Sequence, residues 1–189
     1  MIKLVMHTCC APCMVAVVDT LKKENEEKDE ANKLDITAFW YNPNIHPKVE
    51  YEKRKNTLIQ YCKDIDLPLS IEESYGMVDF VKHVVDNRLN ESATRCEYCY
   101  TLRLEESFRY AKEHNMDAVT TTLLISPYQN QELIKKVGEK LAAKYGVSFY
   151  YEDFRPYFRQ GQNKARELGL YRQKFCGCIY SIDSGKWER

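Results

Sequence analysis

Residues 2–13 read Ile-Lys-Leu-Val-Met-His-Thr-Cys-Cys-Ala-Pro-Cys. The mostly apolar, branched run over 2–6 has the length and composition of a buried strand. Pro12 is tolerated in the first turn of a helix, so the chain is expected to pass from strand to helix within a few residues, with the helix running over 12–26. Cys9, Cys10 and Cys13 then fall at the carboxyl end of a strand and the amino end of a helix. The partial positive charge of a helix start favours thiolate over thiol there.

Working outward, short β-like runs alternate with longer helical ones. Strands are expected over 34–41, 67–71, 118–124 and 147–151, and helices over 48–64, 77–87, 97–114 and 131–145. Glu50 and Arg54 are spaced for an i,i+4 pair on one of those helices. Residues 90–95 read as a polar loop. Five strands joined by crossover helices imply an α/β fold, a doubly wound, mostly parallel five-stranded sheet of Rossmann-like, adenine-nucleotide-alpha-hydrolase-like type. A helical and loop segment follows it at the C-terminal end. No repeat and no Pro/Gly/Ser linker divides the 189 residues, so a single domain over 1–189 is expected. Ligands of such a sheet sit beyond the carboxyl ends of its strands.

An apolar content of 44% suits a folded protein with a core, and the longest apolar run near the start is too short to span a bilayer. No secretory leader pattern precedes the first strand, so the reading is cytoplasmic, with no membrane partner. In a reducing compartment eight cysteines read as metal ligands or redox thiols rather than disulfides. Seven of them form three groups: Cys9, Cys10 and Cys13; Cys96 and Cys99; Cys176 and Cys178. Cys62, inside a helical stretch, reads as core.

Two chemistries compete for the first group. Cys10-Ala11-Pro12-Cys13 after a strand fits a thioredoxin-like thiol–disulfide oxidoreductase, while adjacent Cys9 and Cys10 can bind different irons of one cluster. Cys96-Glu97-Tyr98-Cys99, placed at the start of the next helix, presents two thiolates to one side and needs a partner pair, as both zinc and iron–sulfur sites do. A zinc-stabilised RNA-binding module therefore remains open beside the iron–sulfur reading. A disulfide within Cys176-Gly177-Cys178 closes a small strained ring, which suits a redox shuttle better than a staple; ligation of a second metal is the rival role.

Between residues 155 and 174 lie six basic side chains (Arg155, Arg159, Lys164, Arg166, Arg172, Lys174) and one acidic one, Glu167, although the chain as a whole is neutral. Tyr157, Phe158 and Tyr171 are interleaved with them; two readings are open, a segment that docks RNA by neutralising phosphates and stacking bases, and a solvated helix and loop with core-facing aromatics. Neither GxxxxGK[ST] nor GxGxxG is present, and the turn after the first strand is not the Ser/Gly-rich loop of an ATP pyrophosphatase. His7, at a strand end, reads as a satisfied structural group.

Five ordered motifs carry a family resemblance. They are His7-Thr8-Cys9-Cys10-Ala11-Pro12-Cys13; Tyr41-Asn42-Pro43-Asn44-Ile45-His46-Pro47 with Glu50-Tyr51 and Arg54; Cys96-Glu97-Tyr98-Cys99-Tyr100 with Arg103-Leu104; Thr121-Thr122-Leu123-Leu124-Ile125-Ser126-Pro127-Tyr128; and Tyr171-Arg172-Gln173-Lys174-Phe175-Cys176-Gly177-Cys178. Together the chain resembles the cobalamin-independent epoxyqueuosine reductases of the QueH type. The resemblance implies reductive removal of the epoxide oxygen of epoxyqueuosine at the wobble position of tRNA, giving queuosine. It implies a [4Fe–4S] cluster on Cys9, Cys10, Cys96 and Cys99, a redox-active Cys176/Cys178 pair and an additional iron, for which Cys13 is a candidate ligand, with no cobalamin. The implied partners are a tRNA anticodon stem-loop carrying epoxyqueuosine and an unidentified electron donor. Substrate contacts are expected from Asn42, Asn44 and His46 after the second strand, Ser126 and Tyr128 after the fourth, and Arg159 and Arg166 in the basic segment.

Overall fold

The computed structural model describes residues 1–181. Strands β1 (Ile2–His7), β2 (Leu34–Trp40), β3 (Leu69–Ile71), β4 (Ala118–Thr121) and β5 (Ser148–Phe149) form one wholly parallel sheet in the order β3-β2-β1-β4-β5. Helices α1 (Ala11–Glu27), α2 (Lys48–Asp64), α3 (Met77–Asp86), α4 (Ser92–Glu113), α5 (Gln131–Tyr145) and α6 (Phe158–Glu167) make the crossovers and the C-terminal addition. Helix α1 packs against α2 and α6, and α4 against α5. Leu4, Val5 and Met6 of β1 are fully buried, as expected of the central strand of a parallel sheet covered on both faces. The order of strands reverses between β1 and β4. That reversal opens a crevice at the carboxyl edge.

Four elements differ from the sequence expectation by more than one residue at an end. Helix α4 begins at Ser92 rather than at 97, so the polar residues 92–95 are its first turn and Cys96 stands in its second. Strand β4 stops at Thr121, whose hydroxyl accepts the Leu123 N–H (3.1 Å) and turns Thr122–Ile125 into a 3₁₀ helix. Strands β3 and β5 are shorter than expected because residues 67–68, 147 and 150–151 lie outside the ladders. Helices α2 and α5 have the expected bounds.

His7, at the end of β1, is fully buried. Its Nε2 lies 3.2 Å from the Tyr41 carbonyl, which can only accept, so Nε2 carries the proton and Nδ1 accepts from the Thr121 hydroxyl at 2.9 Å. Burial, then the charge of Arg103, depresses its pKa to about 3. It is a neutral strut joining the ends of β1, β2 and β4.

Candidate functional site

The crevice between the ends of β1 and β4 is a cavity of about 890 Å³. Six of the eight cysteines line it: Cys9, Cys13, Cys96, Cys99, Cys176 and Cys178. Cys10 lies beneath its floor, 1% exposed. Cys62 is in the core on α2, its thiol pushed up to about 12 by burial. Among the described residues no carboxylate lines the cavity, whereas Arg54, Arg95, Arg103, Arg159, Arg166, Arg172 and Lys174 all do. A sulfur-rich, acid-free wall suits soft metals and not magnesium or calcium, and its positive field suits anionic ligands.

The turn after β1 gathers its three sulfur atoms within 4.8 Å of one another. Cys10 is the N-cap of α1, its sulfur accepting the Cys13 N–H at 3.4 Å. Thr122 fixes Cys9 from the end of β4: its hydroxyl accepts the Cys9 N–H (3.0 Å) and donates to the Cys9 sulfur (3.3 Å). The three thiols differ in the direction in which their surroundings push them. Hydrogen bonds from Cys10 and Cys13, then the charge of Arg103 and the Thr122 hydroxyl, hold the Cys9 thiol well below its ordinary range. Burial pushes Cys10 up; its bonds to Cys10 and Cys9, then burial, push Cys13 up. Both Cys10 and Cys13 are thus buried and protonated. A thioredoxin-like pair needs an accessible low-pKa nucleophile, so this geometry disfavours that alternative.

Cys96 and Cys99 line the same cavity from α4 and are not part of the close sulfur group of the turn. The Cys99 sulfur accepts from Arg103 Nη1 at 3.8 Å; burial raises its thiol to about 11 against the opposing pull of that guanidinium. Burial and then the charge of Cys176 raise Cys96, and burial followed by Cys176 and Cys99 raises Cys178 to about 12. These four sulfurs therefore sense one another across the cavity. The Cys176 sulfur lies 2.9 Å from the Ser181 hydroxyl, and Cys176 and Cys178 are free thiols.

Residues 170–181 form a strap over the cavity. Arg54, buried on α2, donates Nη1 to the Cys176 carbonyl (3.1 Å) and Nη2 to the Phe175 carbonyl (3.0 Å), and is paired with Glu50 at 2.7 Å. Tyr171 hydroxyl bonds the other oxygen of Glu50. The His46 N–H donates to the Gly177 carbonyl at 2.8 Å, and Ile45 and Cys178 form an antiparallel bridge. Gly177 has φ +103°, and a Cβ there would lie 2.9 Å from Ile45 Cγ1 and 3.1 Å from Arg54 Nη1. Gln173 reaches from the strap to the turn after β1, its Nε2 2.9 Å from the Cys10 sulfur and 3.6 Å from that of Cys13.

Of the expected substrate contacts, Asn44, Ser126, Tyr128, Arg159 and Arg166 line the cavity. Asn42 and His46 do not. Asn42 is fully buried, donating to the Thr8 carbonyl (3.0 Å) and accepting from Arg103 Nη2 (2.6 Å); His46 acts through its backbone against the strap. The basic segment divides in two. Arg155 pairs with Asp153 and Lys164 with Asp19 on α1, while Arg159, Gln162, Asn163 and Arg166 form one face of α6 toward the cavity. The opposite face is pinned to α1, where a Cβ on Gly161 would come within 2.8 Å of Ala16 Cβ. Arg103 and Gln173 were motif members without an assigned task. The signal for Arg103 was its position four residues after Cys99, one turn along the same helix face.

A family model described as epoxyqueuosine reductase QueH matches residues 4–184. The epoxyqueuosine reductase QueH of Thermotoga maritima is 33% identical over 184 residues, covering 94% of this chain and 88% of that one. That of Dehalococcoides mccartyi is 32% identical over 179 residues, covering 95% and 92%. Among solved structures, the U34-tRNA thiolase NcsA from Methanococcus maripaludis, determined with its [4Fe–4S] cluster, superposes with a TM-score of 0.59 at 14% identity, over 97% of this chain and 62% of that chain. That likeness is one of fold. Among the described residues no helix is long and apolar enough to cross a membrane.

Proposed function

The chain belongs to the epoxyqueuosine reductase QueH family, and from that premise we propose that it removes the epoxide oxygen of epoxyqueuosine in tRNA, using an iron–sulfur centre held in the sulfur-lined cavity. One observation carries the reading: cysteines from three distant segments line a single cavity that, among the described residues, has no carboxylate. The donor set fits iron–sulfur chemistry, being thiols without histidine or acid. Cys9 and Cys10 from the turn after β1, with Cys96 and Cys99 from α4, are the proposed cluster ligands. Cys13, within 4.8 Å of its two neighbours in sulfur position, is the proposed contact to an additional iron. When bound there, such a cluster would supply electrons singly at low potential, and a neighbouring iron would supply Lewis acidity. No cobalamin is required by the proposal.

Opening the epoxide to an alkene consumes two electrons and two protons and releases water. Cys176 and Cys178, both in the cavity wall, match that stoichiometry, since their oxidation to a disulfide yields two electrons and two protons. Their alternative task is ligation of the additional iron. The protein binds and orients the anticodon stem-loop: Arg159 and Arg166 on α6, with Arg172 and Lys174 on the strap, neutralise phosphates at the mouth. Tyr128, half exposed there, stacks on the extruded base. Asn44 Oδ1 and Gln173 Oε1, two buried acceptors without partners, are available for donors on the modified base. We place the reaction in the cytoplasm, where the tRNA pool resides, on one domain spanning the chain, with electrons from a donor that is yet to be identified.

The test is incubation of the anaerobically reconstituted, pre-reduced enzyme with epoxyqueuosine-containing tRNA, followed by mass analysis of its nucleosides. Loss of one oxygen is expected. An unchanged nucleoside with iron-loaded enzyme overturns the proposal. Replacing Cys176 and Cys178 by Ser is expected to abolish single-turnover deoxygenation; full retention would confine the pair to structure or reloading.

A further inference from the structure

Arg103 is 4% exposed, deep in the wall of the cavity. Among the described residues it has no carboxylate partner. Its Nη2 donates to Asn42 Oδ1 at 2.6 Å, its Nη1 points at the Cys99 sulfur at 3.8 Å, and its Nε is buried without a partner. A buried guanidinium lacking a counter-anion is disfavoured, and proteins place them where an anion arrives or forms. Here the groups its arms reach are the Asn42 amide oxygen and the Cys99 sulfur, and of these only the sulfur can carry negative charge. Arg103 Nη1 is directed at the Cys99 sulfur, and through Asn42 the guanidinium is tied to the Thr8 carbonyl beside Cys9. The two cysteines belong to different segments of the chain, and Arg103 is the cation common to them.

Asn42 sets this position. It is itself fully buried and tied by its amide nitrogen to the Thr8 carbonyl, one residue before Cys9. Its amide oxygen takes one arm of the guanidinium, and the Cys99 sulfur, one helical turn earlier, takes another. Asn42 is neutral, so it aims the charge without cancelling it.

We propose that Arg103 is a positioning residue whose buried, Asn42-aimed charge compensates the sulfur-ligated centre and favours its reduced state. The inference rests on the reading that these cysteines hold an iron–sulfur centre. Adding one electron, from dithionite through mediator dyes in the test below, increases the negative charge of the centre by one. A fixed cation beside the ligating sulfurs offsets that increase, so its loss makes reduction harder.

The experiment compares wild type, Arg103→Lys, Arg103→Gln and Asn42→Asp, reconstituted anaerobically with iron and sulfide. Iron and sulfide per chain are counted, and the midpoint potential is read from visible absorbance during a reductive titration. A wild type without iron and sulfide removes the underlying reading, separately from this one. With a loaded wild type, the expected results are a more negative midpoint or loss of the centre in Arg103→Gln, and iron content and midpoint near wild type in Arg103→Lys. Asn42→Asp keeps the shape but sets a carboxylate against the guanidinium, and its midpoint is expected to be more negative. A wild-type midpoint in both Arg103→Gln and Asn42→Asp overturns the proposal. So does an Arg103→Lys protein as defective as Arg103→Gln, because the guanidinium's shape rather than its charge would then matter. Should Arg103→Gln fail to fold, as judged by circular dichroism, Asn42→Asp decides alone: a negative shift supports the proposal and an unchanged midpoint overturns it.

Discussion

Two buried arginines, Arg54 and Arg103, stand at the same cavity on helices α2 and α4, and the fold treats them in opposite ways. Arg54, 2% exposed, is saturated: Glu50 supplies a carboxylate one turn earlier and the strap supplies two carbonyls. Arg103, also buried, has an amide oxygen, a distant sulfur and an idle Nε. A paired guanidinium is a clamp, and here it holds the strap that carries Cys176 and Cys178. An unpaired one leaves its field available to whatever enters the cavity. The contrast separates the structural half of the site from the chemical half.

The contrast can be broken most forcefully at Glu50. Glu50→Ala removes the partner of a buried charge and is expected to cost about 3–5 kcal/mol in chemical denaturation, with exposure of Cys176 and Cys178 to alkylation. A cost under about 1 kcal/mol would mean that Arg54 is no clamp. Gly177→Ala places a Cβ against Ile45 and Arg54 on left-handed backbone. A loss of about 1–3 kcal/mol and a loosened strap are expected by denaturation and thiol labelling. The pH dependence sharpens the Arg103 side. His7 has its folded pKa near 3, below its ordinary 6.5, so its contribution is present above pH 6.5 and lost as pH falls toward 3. The loss from this site is up to about 1.4 kcal/mol per pH unit. Because Arg103 contributes to that depression after burial, Arg103→Met is expected to make the acid-side loss shallower, measured as stability against pH. The smallest effect is on the metal-free protein at neutral pH. There Arg103→Met leaves Asn42 Oδ1 unbonded but removes an unpaired buried charge, and the two offset to within about 1 kcal/mol. A loss as large as that of Glu50→Ala would erase the distinction between the two arginines.

Much of this arrangement was legible in residue patterns. The apolar run into Cys9-Cys10-Ala11-Pro12-Cys13 placed three sulfurs at the end of the central strand, and periodicity located α2 and α5 with their observed bounds. The Glu50–Arg54 pair followed from i,i+4 spacing. The start of α4 was not legible, because residues 92–95 are polar and its N-cap, Glu91, makes no side-chain capping bond. Nor was the 3₁₀ turn after β4, which depends on one hydroxyl of Thr121 folding back on Leu123. Asn42 follows a strand as a ligand-facing residue would, yet its side chain turns down to Thr8 and Arg103. Strand position fixes a residue's neighbourhood, whereas the direction of a loop side chain depends on contacts from segments far along the chain. Arg103 and Gln173 acquire their tasks only when α4 and the strap meet the turn after β1.

The most direct test of the whole account is the metal content and colour of the anaerobically purified protein. The account requires iron and acid-labile sulfide in comparable amounts, with broad visible absorption that dithionite bleaches and that Cys9→Ser or Cys99→Ser abolishes. A colourless protein, whether metal-free or holding only zinc, would contradict it.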